Sequence, residues 1–523
     1  MRRLRERLGA YYETEGRLNR FHIAIADGHY EPRLLPSGAI LRGPRPGPGS
    51  MPGLSDKPAV LVLPFKPIGF RDRGCFCDAV TLNLMRALAA GGQARVVPWT
   101  TARWLVEKTG DKHEYYQITG VDAILEGLVE ETAGNRKRVT VQWIDGPTAL
   151  CDSFYEARGG LRDDLDLASD LAIRLARRLC IIYDERSRLQ LTLRHSRDLA
   201  AATFYLKARE GALSMTPHGV RRALALLDHS LKRDPYFAAA HALLAETHLA
   251  VADSGIAPAT RHAPLARDAA HAALSLAPEL GDALAARGAV ELTYDWDFRR
   301  AEETLRLAGA DALAESAPHW PPILEVSRGN LEKGASAFES WARLDPGSAG
   351  KAMLACEMWY YARQFDLAVH WGLRALELDP ANIRATVLLS TTYMEAGKRE
   401  ESLRIGRGLC EAAPDLCEPY LVLVGLLAQA GRRADALAVM QLWNRRKGNR
   451  YEPPFFRATA NTWLGEPAAA LDALREVVKG RQTACLFARF APYFAPLRHL
   501  PEFDRILSEA GLPEPVKDTP DLD

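Results

Sequence analysis

The sequence predicts an α/β amino-terminal domain followed by an all-α solenoid of stacked helical hairpins. Three observations carry this. At 523 residues the chain is too long for a single hydrophobic core. Its second half is punctuated at a constant interval: Leu344-Asp345-Pro346, Leu378-Asp379-Pro380 and Ala412-Ala413-Pro414 recur 34 residues apart. Its first half holds the continuous apolar run Ala59-Val60-Leu61-Val62-Leu63-Pro64-Phe65, the length of a strand buried on both faces.

Composition narrows the function classes. Hydrophobic residues at 47% and charged residues at 25% are ordinary for a folded chain. The 67 Lys and Arg balance the 66 Asp and Glu, so no overall field draws the chain to nucleic acid, a membrane surface or an acidic substrate. The longest apolar runs, Ala59 to Phe65 and Leu421 to Ala428, fall far short of the roughly 20 residues that cross a bilayer. Arg2, Arg3 and Arg5 are followed by Glu6-Arg7-Leu8 without the apolar segment of a secretory signal, so a cytoplasmic protein without a membrane partner is expected. The eight cysteines are dispersed, mostly in apolar helical contexts, as reduced core thiols would be. Cys75-Phe76-Cys77 matches neither a CxxC redox pair nor a zinc half-site.

Residues 1–36 open with Leu4, Leu8, Tyr11 and Tyr12 on one helical stripe, and arginines largely on another. Phe21 to Ile25 and Tyr30 to Leu34 then flank Asp27-Gly28, a hairpin signal. Residues 37–57, with Gly43-Pro44-Arg45-Pro46-Gly47-Pro48-Gly49, read as a stiff linker. Residues 58–155 alternate: the strand at Ala59, a helix from Phe76 to Ala90, a strand at Arg95 to Pro98 and a helix from Ala102 to Lys108. Two strands, Ala123 to Glu130 and Arg138 to Ile144, follow around the polar turn Ala133-Gly134-Asn135-Arg136. His113-Glu114 falls in a loop-like stretch. Residues 156–198 are connecting helices that include Leu165 to Leu179.

Residues 199–480 are rich in Ala and Leu at helical spacing. Pro278 lies twice the interval before Pro346, with Ala312 where the intermediate proline would stand. Pro235 precedes Pro278 by 43 residues, the excess falling in the loop-like stretch Asp253 to Pro258. Two packed helices approach closely only over small side chains, which Ala245, Gly288, Cys356 and Ser390 supply; Trp359, Tyr393 and Leu427 fill the hollows three places beyond. Gly397 and Gly431 mark turns where a residue lacking Cβ takes a left-handed conformation. Residues 481–523 hold apolar segments around Phe490 to Phe494 and Leu497 to Phe503, expected to cap the last repeat.

From Leu199 to Lys479 these residues resemble the tetratricopeptide repeat family. The resemblance implies a right-handed superhelix whose concave face receives extended peptides or partner helices. Lined as in that family, the concave face would expose Glu357, Tyr360, Arg384, Thr391 and Met394 to a protein or peptide partner. The aromatic and Met side chains at these places fit a core role better, and an array that packs only on its own amino-terminal domain would bind nothing.

Residues 58 to 155 resemble the TolB-like domain that precedes such repeats in bacterial proteins, through Val62-Leu63-Pro64-Phe65, Leu125-Glu126-Gly127 and Val139 to Asp145; Tyr294-Asp295-Trp296-Asp297 in the repeats echoes the same proteins. Cys77-Asp78-Ala79-Val80 lacks the glycine usual there, and Phe154-Tyr155 stands in place of a tryptophan. The amino-terminal helix and hairpin resemble the last third of a winged-helix DNA-binding domain. That likeness would put Arg3, Arg5 and Arg7 on the recognition helix and the wing near Gly28-His29-Tyr30. The preceding helices of such a domain are absent, as expected of a chain whose start has been shortened.

Enzymatic and cofactor chemistry find no support. Lys66-Pro67-Ile68-Gly69 after the first strand lacks a dinucleotide or phosphate-loop glycine pattern, and no HExxH, GxSxG or kinase-type loop occurs. His241 and His248 stand seven residues apart, too far for a helical metal pair. The expectation is a non-enzymatic scaffold or adaptor without cofactor in bacterial regulation, acting through its concave face; the alternative is a transcriptional regulator whose amino terminus touches DNA.

Overall fold

The computed structural model describes residues 21–24, 33–36, 57–69, 76–89, 94–132, 136–159, 171, 174–175, 178, 196, 198–213, 217–253, 257–309, 319–448 and 450–512. The chain divides into two compact units, Met1–Thr192 and Leu193–Asp523. The Pro/Gly-rich linker except Lys57, most of the connecting helices, and Arg3, Arg5 and Arg7 lie outside the described residues.

In the first unit β1 (Phe21–Ala24) pairs antiparallel with β2 (Arg33–Pro36), Ile23 opposite Leu34. The second strand begins after Pro32, which has no N–H to give a ladder. A separate sheet runs β5-β3-β6-β7-β8, with β4 also pairing β6. Its strands are β3 (Ala59–Val62), β4 (Lys66–Ile68), β5 (Arg95–Val96), β6 (Ala123–Thr132), β7 (Arg136–Asp145) and β8 (Cys151–Gly159). The apolar run predicted from sequence is the buried strand β3, parallel to both β5 and β6. β6, β7 and β8 form an antiparallel meander, so a third strand extends the expected hairpin.

Helices α1 (Phe76–Ala89), α2 (Trp99–Lys108) and α3 (Lys112–Thr119) join these strands. Leu61, Ile124 and Ile144 of the sheet pack with Ala102 and Leu105 of α2 and Tyr115 of α3. The loop expected at His113-Glu114 is instead the start of α3. The Asp111 carboxylate accepts from the His113 N–H at 2.9 Å as its cap, and Gly120 ends it at a left-handed φ of 58°.

In the second unit, consecutive described helices pack as eight hairpins. These are α4 (Leu199–Leu213) with α5 (Pro217–Arg233), α6 (Ala238–Asp253) with α7 (Ala259–Leu276), α8 (Gly281–Val290) with α9 (Phe298–Ala308), and α10 (Trp320–Ser327) with α11 (Leu331–Leu344). They continue as α12 (Ala349–Tyr361) with α13 (Phe365–Leu378), α14 (Ile383–Glu395) with α15 (Arg399–Ala412), α16 (Cys417–Gln429) with α17 (Arg433–Arg446), and α18 (Pro454–Trp463) with α19 (Pro467–Lys479).

The local chemistry repeats with the period. Left-handed residues close the turns within hairpins at Gly329, Arg363, Gly397, Gly431 and Gly465, each 34 residues after the last. Ser348 and Asn382, also 34 apart, cap α12 and α14 by accepting the N–H of Lys351 and Ala385. Ala245, Cys356 and Ser390 are fully buried between helices, and a Cβ at Gly288 would lie 2.8 Å from Leu305 Cδ2. Trp359 and Leu427 are buried and Tyr393 half-buried beside them. After α8 the chain widens into a π-turn, Glu291–Asp295, which ends on left-handed Trp296.

Beyond α19 come two 3-10 turns, Thr483–Phe487 and Pro492–Leu497, and α20 (Pro501–Glu509). Phe503 of α20 packs on Phe494.

Candidate functional site: the inner face of the repeats

Helices α6, α12 and α14, each the first of its hairpin, share one inner face, because side chains from hairpins far apart in the stack meet there. Arg384, near the start of α14, donates from Nη2 to Glu357 of α12 at 3.0 and 3.2 Å and from Nη1 to the Asp253 carbonyl at 3.5 Å. Asp253 ends α6, four hairpins earlier. Tyr361 donates to Glu357 at 3.1 Å, and Tyr493, from the segment after α19, donates to Tyr361 at 3.1 Å. Thr483 of the same segment donates to the Asp253 carboxylate.

This face is crowded and rich in carboxylates. Solvent reaches Asp253, yet protein packs closely around it, and this crowding pushes its carboxyl up to about 6; the Thr483 bond and Arg384 offset part of the rise. Burial pushes Glu246 of α6 up to about 8, against the bond from Trp320 and with help from Asp282 and Asp253. Glu418, at the start of α16, is raised by burial, with Arg384 opposing. Arg384 is raised above its ordinary value, first by Glu357.

The five inner-face positions read from the sequence fall into two groups. Arg384 and Thr391 are partly open to solvent, the Thr391 hydroxyl turning back to the Leu388 carbonyl at 2.9 Å. Glu357, Tyr360 and Met394 are buried: for Glu357 this corrects the exposed position expected of it, while Tyr360 and Met394 take the core role that their side chains fitted better. Tyr360 stacks on Tyr493 at 6.1 Å between ring centres. Met394 packs in the cluster of Leu403, Leu427 and Trp443. Glu357 is enclosed by its bonds to Arg384 and Tyr361.

The segment after α19 also departs from its expected role as an end cap alone. The Arg481 guanidinium lies 4.4 Å over the Trp296 ring, Phe487 stacks on Tyr361 at 5.0 Å, and Phe455 meets Tyr493 edge-on at 5.3 Å. Leu486, Phe487, Phe490, Phe494 and Leu497 are all buried. Burying five such side chains is worth on the order of 10 kcal/mol, comparable with the net stability of a whole domain. The segment is therefore core, and no partner displaces it cheaply.

One further pair was not legible as a site. His248 Nδ1 lies 3.0 Å from His262 Nδ1 across the α6–α7 hairpin, and burial holds both rings below the usual histidine range. His241, seven residues before His248, instead bonds the Pro235 carbonyl at 2.9 Å. Among the described residues no group of three or more His, Cys, Asp or Glu is placed to hold a metal ion. No described helix is long and apolar enough to cross a membrane.

No family model matches the chain, and no curated protein matches it. Solved structures similar to it include a tetratricopeptide repeat protein from Parabacteroides merdae, at 15% identity over 59% of this chain and 99% of that one, with a TM-score of 0.28. YrrB, a TPR protein with an unusual peptide-binding site, is 13% identical over 37% of this chain and 95% of its own, with a TM-score of 0.25. Human IFIT1, in its dimer with PPP-AAAA, is 14% identical over 66% of this chain and 78% of its own, with a TM-score of 0.37.

Proposed function

We propose that the repeat unit is a non-enzymatic scaffold that takes a protein or peptide partner on the part of its inner face that its own chain leaves open, around Arg384 and Thr391. The observation that supports this is the segment from Arg481 to Leu497. A stretch of peptide already lies against the same face, held by ring stacking and by hydroxyl bonds to Asp253 and Tyr361. A foreign peptide would use the same means. In this reading Glu357 positions Arg384, and Tyr360 and Met394 hold the wall behind it.

The sheet unit would be a TolB-like module in front of the repeats, its Val62-Leu63 and Leu125-Glu126-Gly127 lying on or just beyond paired central strands, and the setting would be bacterial regulation. The alternative, DNA contact through Arg3, Arg5 and Arg7, has no described residue to support it.

A photo-crosslinking amino acid placed at Thr391 of the full chain, compared with one at the exposed Leu373 on α13, the second helix of the preceding hairpin, tests the reading. Thr391 should trap a discrete partner from the producing cell and Leu373 should not. Equal trapping at the two positions, or trapping at Leu373 alone, rejects the inner face.

A further inference from the structure

We infer that Arg481–Leu497 is an intramolecular clasp that holds the repeat unit closed, fixing its curvature by contacts between hairpins that are not neighbours. In an open solenoid each repeat touches only the next, so curvature is the sum of many small stacking rotations and the array bends and unfolds locally. Here one short segment touches four separate hairpins. Arg481 donates to the Asp295 carbonyl at 3.4 Å and covers Trp296, beside α8. Thr483 holds Asp253 of α6. Phe487 and Tyr493 stack on Tyr361 and Tyr360 of α12, and Tyr493 and Phe494 meet Phe455 of α18.

The partners lie 186, 230 and 132 positions from the segment in sequence, so stacking of adjacent repeats does not bring them there. Arg384 adds a second tie to the same place, since its bond to the Asp253 carbonyl links α14 to α6 directly. The clasp thus couples the second, third, fifth and eighth hairpins into one cooperative body. The inference does not depend on the partner-binding reading.

Hydrogen–deuterium exchange of the full chain tests it. The variant is Arg481→Asn with Thr483→Ala, which removes the polar ties and leaves the aromatic core; Asn suits the left-handed φ of 50° at this position. A Trp443→Leu variant in the seventh hairpin serves as a control of general destabilisation. The clasp variant should speed exchange about tenfold in α6 and α8 as well as in 481–497, and leave α16 and α17 unchanged. Faster exchange confined to 481–497, or a pattern matching that of Trp443→Leu, overturns the clasp. Tyr493→Phe, which keeps the ring and removes only the hydroxyl, should give the same pattern in α12 more weakly; no change there counts against the tie to the fifth hairpin.

Discussion

A single nitrogen of Arg384, Nη2, holds both carboxylate oxygens of Glu357, and the two partners differ sharply in burial, with side chains 37% and 9% exposed. Removing one partner of such a pair costs what the other loses by standing alone. Arg384 without Glu357 can turn to water. Glu357 without Arg384 stays enclosed near Glu418 and Asp253, both carboxylates.

Arg384→Ala should therefore destabilise the chain by about 2 to 4 kcal/mol, and Glu357→Gln, which keeps an acceptor for Tyr361, by about 1 kcal/mol. Urea unfolding of the two variants measures the order, and the reverse order would mean that Glu357 is hydrated in the folded chain.

The turn register gives a second prediction. Of the five left-handed turn residues at the 34-residue interval, Arg363 alone carries a side chain, at φ 58°. A side chain in this conformation costs roughly 1 kcal/mol that glycine does not. Arg363→Gly should raise the melting temperature slightly, and Gly397→Ala should lower it. Nothing lies within 4 Å of a Cβ built at Gly397, so its cost is backbone strain alone.

These turns show what the sequence made legible. Gly397, Gly431 and the Asp-Pro phrases announce the period because each meets a local backbone need that few residues satisfy. Arg363 occupies the same turn without the glycine that would mark it. α3 is short, and its one buried residue, Tyr115, leaves no apolar stripe to read. The inner face was legible as a set of positions but not as a surface, since a Tyr or Met at helical spacing looks the same in a groove and in a core. What covers Tyr360 and Tyr361 arrives from Tyr493, more than a hundred residues on. Only the curvature accumulated over several hairpins brings it there, and no local pattern encodes that.

Two glycines of the sheet unit should behave differently on substitution. A Cβ at Gly127 of β6 would sit 2.1 Å from the Phe65 ring, and one at Gly146 would sit 2.0 Å from the Val121 carbonyl. A ring can be trimmed and a backbone cannot. Gly127→Ala should cost about 1 to 3 kcal/mol and regain much of that when combined with Phe65→Leu. Gly146→Ala should be damaging with or without the change at Phe65. Thermal unfolding of these four variants and of Phe65→Leu alone reads the coupling directly, and additive effects at Gly127 and Phe65 would show that the ring does not cover that strand.

Glu246 sets the last prediction, the pH dependence of stability. Trp320 Nε1 donates to both its oxygens, at 3.0 and 3.1 Å, and burial pushes the carboxyl up to about 8. Between its ordinary value of 4.5 and 8 the folded chain keeps a proton that the unfolded chain has lost, so stability falls as pH rises through that window. His248 and His319, both pushed down by burial to about 4, act in the opposite sense. From pH 4 to 6.5 the unfolded chain binds protons that the folded rings refuse, and stability rises. Asp253, up to about 6, opposes the histidines below that pH. Above pH 6.5 Glu246 is the one of these four still titrating. The wild-type chain should then lose up to about 2 kcal/mol between pH 6.5 and 8 relative to Glu246→Gln, whose amide oxygen still accepts from Trp320. Urea unfolding at half-unit steps across this range would give diverging curves, the wild type falling further below Glu246→Gln as pH rises. Parallel curves would mean that Glu246 is already ionised in the folded state, and that its place on the inner face is wetter than its neighbours imply.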